Sequence, residues 1–505
     1  KIDNFMSKGS SSIFLALMAL FSLGFLLILI IRIIANIVYQ IPIYLMKNTT
    51  RRKFMKGALY GAAGSSTFCS LPANAKVKGA NEDIRVAVIG CGGRGGGHVN
   101  ASLGHKNVRV AGVCDADYKR NESNANRVQG KQGSKPKIYE DYRELCVDKD
   151  IDAVMIATPN HLHSLIAILA AQNGKHVYVE KPVSHNIWEG RKLVEAAEKY
   201  SKKGVIIQHG MQRRSDTGWR EVMEWIKDKP LGEMLVSRGF CYKPRKSIGK
   251  VSAPKQAPAE VNYDLWSGPR EILPIRRERF HYDWHWQSPY GNGDIGNQGP
   301  HQMDVARWAL GQEKCAPNVL SIGGRFGYDD DGDTANTQIA FFDYKPVPLI
   351  FEVRGLPEKE LDWGKGMSNY KGARVGNVIE FEGGYVSESK AYDNKGKSIK
   401  KFGITNGRGH FENWIAAIQE STSEHELSAH TGHISAALGH MANISHYIGN
   451  ESSPGDCKDA INGNKMKLEV FNRFSEHLDN NGIDINKSKA TLGPLLSFDP
   501  DKEVF

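Results

Sequence analysis

A glycine-rich turn and an acidic residue are the first groups in this sequence whose types and spacing could do chemistry. Gly90, Gly92 and Gly95 directly follow an apolar run of strand length, and Asp115 follows the next such run. Glycines at this spacing let the backbone turn tightly, approach a pyrophosphate and enter a helix whose first amides face the anion. A carboxylate about twenty residues later can bind an adenosine ribose. The pattern predicts a dinucleotide site that prefers NAD, because a carboxylate repels the 2′-phosphate of NADP.

Two alternatives to this interpretation stay open. Arg120 lies close enough in sequence to Asp115 to pair with a 2′-phosphate, which would favour NADP. A methyltransferase could share both the glycine turn and the acidic residue. Arg94, inside the turn, is a further candidate for cofactor binding.

A lysine and a helix face further along the chain are the next candidates. Lys181 follows an apolar run, and a lysine at the C-terminal end of a parallel strand lies at the crevice where open α/β sheets bind ligands. Partial burial there beside an oxidised nicotinamide would lower its pKa. Asn297, His301 and Asp304 have the spacing that places side chains on one face of a helix.

These residues need a parallel sheet to position them, and the hydrophobic pattern from Ile84 onwards predicts one. Apolar runs alternate with helical stretches, which is typical of parallel strands joined by right-handed crossovers. The predicted strands are Arg85–Ile89, Val108–Cys114, Ala153–Ala157, His176–Glu180 and Val205–Gln208. We therefore expect an α/β fold with an N-terminal Rossmann domain over residues 82–208. The irregular, aromatic-rich stretch that follows predicts an α+β domain with an open, mostly antiparallel sheet over residues 209–450, and a C-terminal tail over 451–505.

The stretch "ATPNHLHSLIAILAAQNGKHVYVEKPVSHN" resembles the Gfo/Idh/MocA oxidoreductases, which include glucose-fructose oxidoreductase and inositol dehydrogenase. In that family a T-P-x-x-x-H motif follows the fourth strand, and an E-K-P motif follows the fifth and places its lysine beside the nicotinamide. The matching residues are Thr158, Pro159, His163, Glu180, Lys181 and Pro182. The resemblance runs from about Ile84 to the region of Gly449. It implies that the first motif, with Asn160, lines the cofactor site.

A second motif of this family, D-x-x-x-H-x-x-D, has a counterpart in the second domain. His301 and Asp304 match it, and the resemblance implies that His301 exchanges a proton with the substrate hydroxyl. Asn297 stands where the family has an aspartate. An amide can bind a hydroxyl but cannot raise the basicity of a histidine, so the efficiency of proton transfer is open. Asp294, a turn earlier, could substitute electrostatically.

Several polar and aromatic residues of the second domain are candidates for binding a sugar. Aromatic rings pack against the apolar faces of sugars, and charged side chains bind hydroxyls or a carboxylate. The candidates are Arg213, Tyr282, Trp284, Asp294 and Asp304. No metal is expected, because the seven cysteines are scattered without C-x-x-C or zinc-type His spacing.

The net charge of +10 lies mostly in the first part of the chain. Residues 1–75 carry eight basic side chains against one acidic side chain. The remainder is close to neutral with its charges mixed along the sequence, so it lacks the basic stripe that nucleic-acid binding requires.

The leader contains two further signals. Residues 13–45 are almost wholly apolar, so residues 1–45 are either an upstream translated extension or a transmembrane helix, and membrane contact is expected only there. Residues 46–75 resemble a twin-arginine signal peptide, with Arg51 and Arg52 before a weakly apolar stretch and a small-x-small site ending at Ala75. A lipoprotein alternative at Cys69 fits poorly, because bulky Phe68 precedes it. We expect a periplasmic protein that begins near Lys76.

The leading hypothesis is an exported NAD(H)-dependent oxidoreductase of a sugar, polyol or glycoside. The twin-arginine translocation machinery carries folded proteins, so NAD could be loaded in the cytoplasm and retained. Because no external NAD pool exists, a redox-neutral cycle is favoured. One alternative is the NAD-dependent, oxidation–elimination glycosidase chemistry found in the same family, and another is a catalytically impaired sugar-binding protein that contains NAD. An exposed sheet face in the second domain would suit a homo-oligomer.

Overall fold

The computed structural model describes residues 83–505, apart from 365, 404, 406, 408 and 423–426. The expected apolar segment over residues 1–45 and the signal peptide over residues 46–75 lie outside the described residues. Within the described part of the chain, no helix is both long enough and apolar enough to cross a membrane.

The first domain is built on a six-stranded parallel sheet with the order β3-β2-β1-β4-β5-β6. Its strands are β1 (Ile84–Ile89), β2 (Val108–Cys114), β3 (Lys137–Tyr139), β4 (Ala153–Ile156), β5 (His176–Val179) and β6 (Ile207–His209). Its helices are α1 (Gly93–Leu103), α2 (Tyr118–Gln132), α3 (Tyr142–Val147), α4 (His163–Gln172) and α5 (Ile187–Ser201). The Rossmann prediction is confirmed, and the strand order reverses between β1 and β4, where such sheets open a ligand crevice.

Both faces of this sheet are buried, which explains its continuous apolar strands. Ala87 and Ile89 of β1 enter one apolar cluster, whereas Val86 and Val88 enter the cluster on the opposite face. The second cluster is completed by Trp414 and its neighbours in the helix α10 (His410–Glu420). This helix comes late in the chain, yet its apolar side packs on the first sheet.

The second domain contains a large sheet with the order β14-β13-β12-β11-β7-β10-β9-β8-β16-β15, and β17 pairs with β8. Its strands are β7 (Met234–Cys241), β8 (Asn318–Gly324), β9 (Thr337–Phe342), β10 (Leu349–Arg354), β11 (Val375–Phe381), β12 (Gly384–Ser387), β13 (Lys390–Asp393), β14 (Ser398–Lys401), β15 (Asn450–Ser452), β16 (Ala490–Leu492) and β17 (Leu496–Ser497). The pairing is antiparallel except between β7 and β10. The mostly antiparallel sheet is therefore confirmed.

Helices cover both faces of this sheet. The remaining helices are α6 (Thr217–Lys227), α7 (Tyr263–Ser267), α8 (Gly293–Asn297), α9 (Gly299–Ala309), α11 (Ala429–Tyr447), α12 (Pro454–Ala460) and α13 (Lys465–Asn480). Single 3₁₀ turns occupy Asn160–Leu162, Gln212–Ser215 and Asp283–Trp286. Helices α9 and α11 pack on the face that looks toward the first domain's apolar core, and α13 packs on the opposite face.

The segment after residue 450 is part of the folded domain rather than a tail. Phe471 and Phe474 of α13 pack against Leu320, Ile322 and Ile350 of the sheet. The apolar residues of α13 recur at helical spacing in "KLEVFNRFSEHLDN", a signal that the surrounding polar residues obscure. Helix α13 thus covers part of the sheet face that we expected to suit a second copy, and the oligomeric state stays a prediction.

Candidate active site

The turn between β1 and α1 requires glycine at two positions. Gly90 has φ +88°, and a Cβ there would come within 2.6 Å of the backbone of Ala157. A Cβ at Gly95 would lie 1.7 Å from the carbonyl oxygen of Gly90. Gly92 is the N-cap of α1 and has no side chain to bond the first helical amides. These amides are therefore available to a phosphate group.

Asp115 lies directly beside this turn. Its Oδ2 accepts a hydrogen bond from the Cys91 amide at 2.7 Å, and its Oδ1 accepts one from the Asp117 amide at 2.9 Å. Burial raises the pKa of Asp115. Arg120 forms an ion pair with Asp117 at 3.6 Å and lies over Gly92. The acidic group and the glycine turn are thus brought together as NAD binding requires.

The T-P-x-x-x-H motif forms the turn after β4 and links it to β5. His163 bonds the Pro182 carbonyl through Nδ1 at 2.6 Å and the Thr158 carbonyl through Nε2 at 2.7 Å, so it holds two turns together. Asn160 Nδ2 donates to Asn292 Oδ1 at 3.0 Å. The Thr158 hydroxyl is buried without a hydrogen-bond partner among the described residues. An unsatisfied hydroxyl at this edge, together with the glycine turn and Asp115, fits a bound dinucleotide.

Glu180 connects the end of β5 to the glycine turn. Its Oε1 accepts hydrogen bonds from Arg94 Nε at 2.6 Å and from His98 Nε2 at 3.0 Å. Burial raises the pKa of Glu180, but the His98 hydrogen bond and the Arg94 charge outweigh it and hold the pKa well below its usual value. Arg94 and Glu180 therefore form an ionised pair beside Lys181 rather than two free ligands.

Lys181 points at the end of α8. Its Nζ donates to the main-chain carbonyl oxygen of Asn297 at 2.5 Å and lies 3.3 Å from the Asn297 amide oxygen. Burial lowers the pKa of Lys181, the charge of Glu180 opposes this effect, and the charges of Arg245 and Lys243 add to it. Because both oxygens from Asn297 are neutral, this pairing compensates burial less than a carboxylate would.

His301 lies near Lys181 although the two residues belong to different domains. Burial, followed by the charge of Lys181, lowers the pKa of His301 to about 3. Its Nδ1 is buried and has no hydrogen-bond partner among the described residues. The ring is therefore neutral near pH 7, and one nitrogen is free to exchange a proton. The proton-transfer role that the resemblance implies for His301 stays a prediction.

Asp294 and Asp304 are held in buried ion pairs. Asp294 accepts from Arg245 Nε and from Trp286 Nε1, each at 3.3 Å, so its charge is already paired. Asp304 accepts from Arg214 at 2.9 and 3.0 Å. Burial opposes ionisation of Asp304, but the Arg214 charge lowers its pKa to about 2. The structure thus places both carboxylates in supporting contacts rather than as free sugar ligands.

The loop over residues 281–286 brings aromatic side chains to the site. Tyr282 is exposed, and its hydroxyl accepts from Arg245 Nη1 at 2.8 Å. Trp284 is buried and stacks on His285 with ring centroids 3.7 Å apart. Burial lowers the pKa of His285 to about 3, and the Lys181 charge contributes to the shift. Trp284 therefore supports His285, a second histidine near Lys181.

Glu388 lies close enough to Arg213 for the arginine charge to affect its pKa, and the sequence pattern did not reveal this residue. The Arg213 charge lowers the pKa of His301, and it also opposes the rise that burial causes in the pKa of Glu388. Glu388 Oε1 accepts from the Asn377 amide at 3.0 Å. A Cβ at Gly376 would lie 1.4 Å from the same oxygen, so this glycine makes room for the carboxylate. Only the pairing of β11, β12 and β13 brings Glu388 here.

The described cysteines and acidic groups add no metal centre. Cys91, Cys114, Cys146, Cys241, Cys315 and Cys457 are free and buried. No group of three or more His, Cys, Asp or Glu side chains within the described ranges is arranged to hold a metal ion.

Comparison with known protein families matches both domains. Residues 84–209 match the model of the Gfo/Idh/MocA oxidoreductase family, NAD-binding Rossmann fold. Residues 222–344 match the model of the C-terminal α/β domain of the same oxidoreductase family.

Individual relatives show similarity over shorter stretches. The inositol 2-dehydrogenase of Salmonella typhimurium is 29% identical over 160 residues, which is 32% of this chain and 46% of that protein. The α-N-acetylgalactosaminidase of Shewanella oneidensis is 27% identical over 210 residues, which is 38% of this chain and 45% of that protein. The matches thus span somewhat under half the length of these relatives.

Solved structures share the fold over a larger part of the chain. The WlbA dehydrogenase of Bordetella pertussis, solved with NADH and UDP-GlcNAcA, superposes with a TM-score of 0.52 at 19% identity. The match covers 72% of this chain and 97% of that one. At this identity the comparison supports the two-domain architecture and not a particular substrate.

Proposed function

Because this chain belongs to the Gfo/Idh/MocA oxidoreductase family, we propose that it is an NAD(H)-dependent oxidoreductase of a sugar, polyol or glycoside. The observation that carries this proposal is the position of Lys181 and His301. Lys181 follows β5 of the NAD-binding domain, His301 lies in α9 of the second domain, and the charge of Lys181 adds to the effect of burial in lowering the pKa of His301. A substrate hydroxyl held between them could contact both.

The chain's own residues would hold the cofactor at the carboxyl edge of the first sheet. The turn at Gly90 and Gly95 leaves the first amides of α1 open to the pyrophosphate, and Asp115 is placed to accept from the ribose. The unpartnered Thr158 hydroxyl lies at the same edge, after β4. Bound NAD supplies the acceptor or donor of hydride, which no side chain can provide.

Proton transfer and charge stabilisation are assigned to two side chains, His301 and Lys181. Neutral His301 takes the proton from the substrate hydroxyl as the carbon–hydrogen bond breaks, and it returns the proton in the reverse reaction. Lys181 stabilises the negative charge that develops on the same oxygen. The low pKa of His301 keeps its basic form available at neutral pH. Further hydroxyls could be bound by polar side chains near Lys181 and His301. These side chains are Tyr282, His285, Arg213 and Glu388.

A redox-neutral glycosidase is the second candidate function, and the similarity to an α-N-acetylgalactosaminidase favours it. In this reaction, transient oxidation acidifies a neighbouring C–H bond, elimination expels the aglycone, water adds, and the ketone is reduced again. The same Lys181 and His301 would serve both chemistries, because each begins with oxidation of a hydroxyl.

Mass spectrometry of the purified protein incubated with a panel of glycosides and polyols tests these proposals. Ketosugar products support the oxidoreductase, and cleaved glycosides without net change in NAD support the glycosidase. Sugar binding without any product would contradict both and leave the NAD-containing sugar-binding protein. Lys181→Ala protein serves as the control for products that arise without this site.

Export is part of the proposal and rests on the sequence pattern around Arg51 and Arg52. A twin-arginine signal would carry the folded protein, with its cofactor, to the periplasm. N-terminal sequencing of exported protein should give a start near Lys76. A mature protein that begins before Met46 and stays in the membrane would contradict this.

A further inference from the structure

Residues 260–270, which include α7, cross the carboxyl edge of the parallel sheet, and we call this segment the strap. Its first end is hydrogen-bonded to the turn after β2. The Tyr118 amide donates to the Glu260 carbonyl at 3.0 Å, and the Asn262 amide donates to the Ala116 carbonyl at 2.8 Å. Ala116 and Tyr118 follow within three residues of Asp115, the residue that we expect to bind the adenosine ribose.

The other end of the strap is bound to the turns after β4 and β5. The Trp266 carbonyl bonds His161 Nε2 at 3.0 Å. Arg270 Nη2 contacts His185 Nδ1 at 2.5 Å and Glu189 Oε1 at 3.2 Å. Since the sheet order is β2-β1-β4-β5, the strap passes the ends of all four strands. The glycine turn and Thr158 lie between its two attachment points.

A second layer of contacts holds the strap in place. His281 Nε2 lies 2.8 Å from Asp117 Oδ2, next to the first attachment point. Trp266 belongs to an apolar cluster with Phe280 and neighbouring rings, and the cluster packs against Ala116. The buried Arg277 guanidinium lies 4.7 Å from the Trp266 ring centroid. The strap is therefore a packed part of the second domain and not a loose loop.

We propose that the strap closes over bound NAD from its adenosine end to its nicotinamide end and retains the cofactor through turnover. This inference rests on the NAD site of the proposed function. NAD lies across the carboxyl ends of the strands in folds of this type, so the strap covers its path to solvent. Release requires at least one attachment to open, which makes dissociation slow.

The attachment residues differ from those that do chemistry. Lys181 and His301 are needed for hydride and proton transfer, whereas Arg270 and His281 bind protein groups at the two ends of the strap. Cofactor retention can therefore be measured without any substrate. A retained cofactor would also fit a redox-neutral cycle, in which the same NAD is reduced and reoxidised in place.

Exchange of bound NAD against isotopically labelled NAD tests the strap. We expect the unmodified protein to keep its NAD through gel filtration and to exchange it slowly. The double variant Arg270→Ala/His281→Ala should exchange at least tenfold faster. Lys314→Ala, which removes an exposed ion pair with Asp501 in the second domain, is the matched control and should exchange like the unmodified protein.

Two results would overturn the strap proposal. One is unmodified protein that loses NAD during gel filtration, and the other is a folded double variant that exchanges at the unmodified rate. If the double variant does not fold, amide hydrogen exchange of the unmodified protein decides instead: NAD must protect residues 260–270 as well as the glycine turn. Slow exchange without any turnover would contradict the proposed function alone, and turnover with freely exchanging NAD would contradict the strap alone.

Discussion

The Nζ of Lys181 donates to the main-chain carbonyl oxygen of Asn297 and also lies 3.3 Å from the amide oxygen of the same side chain. The lysine of the NAD-binding domain is thus held by the end of α8 in the second domain. Asn297 is the position where the family motif has an aspartate. Because an asparagine stands where the motif has an aspartate, the Lys181 cation faces a neutral amide and not a carboxylate at this position.

Replacing Asn297 with Asp should shift the pH dependence of activity. A carboxylate about 3.3 Å from Lys181 favours the ammonium form, so the pKa of Lys181 should rise. The alkaline limb of the kcat/KM profile should move to higher pH if it reports this lysine. Asn297→Gln is the neutral control. Identical profiles for the Asp and Gln variants would show that Asn297 does not set the ionisation of Lys181.

Asp115 should determine cofactor preference. Asp115→Ala removes the ribose acceptor and the repulsion of a 2′-phosphate, so NAD should bind more weakly and the gap to NADP should narrow. Asp115→Asn keeps one acceptor oxygen, so it removes the charge and one of the two hydrogen bonds from the Cys91 and Asp117 amides. Calorimetric titration of cofactor-free protein measures both. Tighter binding of NADP than NAD by the unmodified protein would contradict the assignment.

Much of the first domain could be predicted because β1, β2, β4 and β5 are buried on both faces and are therefore mostly apolar. Two strands are exceptions: β3 has only three residues and an exposed Lys137 at its start, and β6 has one apolar residue of three. Gly90, Gly95 and Asp115 were predictable because backbone sterics and ribose binding demand those residue types at fixed spacing.

The side-chain contacts of the second domain could not be predicted from the sequence in the same way. The motif identified His301, but it could not show that Asp304 pairs with Arg214 in the core, because helical spacing gives a face and not its surroundings. Glu388 lies at a hairpin turn with φ +47° and reaches the site only through the pairing of β11 with β12. Such contacts depend on long-range pairing, which local patterns do not encode.

Arg213 should help to keep His301 neutral. Its positive charge contributes to the low pKa of His301, together with burial and the charge of Lys181. Arg213→Gln should therefore raise this pKa and move the acid limb of the kcat/KM profile to higher pH. Arg213→Lys keeps the charge and should restore the acid limb. A change in KM with an unmoved acid limb in both variants would assign Arg213 to substrate binding only.

Helix α13 should be essential for stability. Phe474 is almost fully buried against the sheet, and Phe474→Ala should lower the free energy of unfolding by about 3–5 kcal/mol. Urea denaturation monitored by fluorescence measures this loss. Glu476→Ala, on the same helix but outside that apolar cluster, is the control and should change stability little. Equal stability of both variants would mean that residues after 450 contribute no core.

Lys181 and His301 should each be required for turnover but not for cofactor binding. One substrate hydroxyl can contact both side chains only if their functional nitrogens lie within about two hydrogen bonds, roughly 6 to 7 Å, in the closed site. Lys181→Ala and His301→Ala should each reduce kcat by about a hundredfold or more, which corresponds to about 2.7 kcal/mol in the barrier. NAD content, measured after acid release, should stay unchanged because neither residue belongs to the glycine turn or the strap. Lys149→Ala, at an exposed position of the first domain, should leave kcat unaltered. Variants that keep full turnover, or a substrate complex in which the two side chains point into different cavities, would refute the mechanism even though the fold stands.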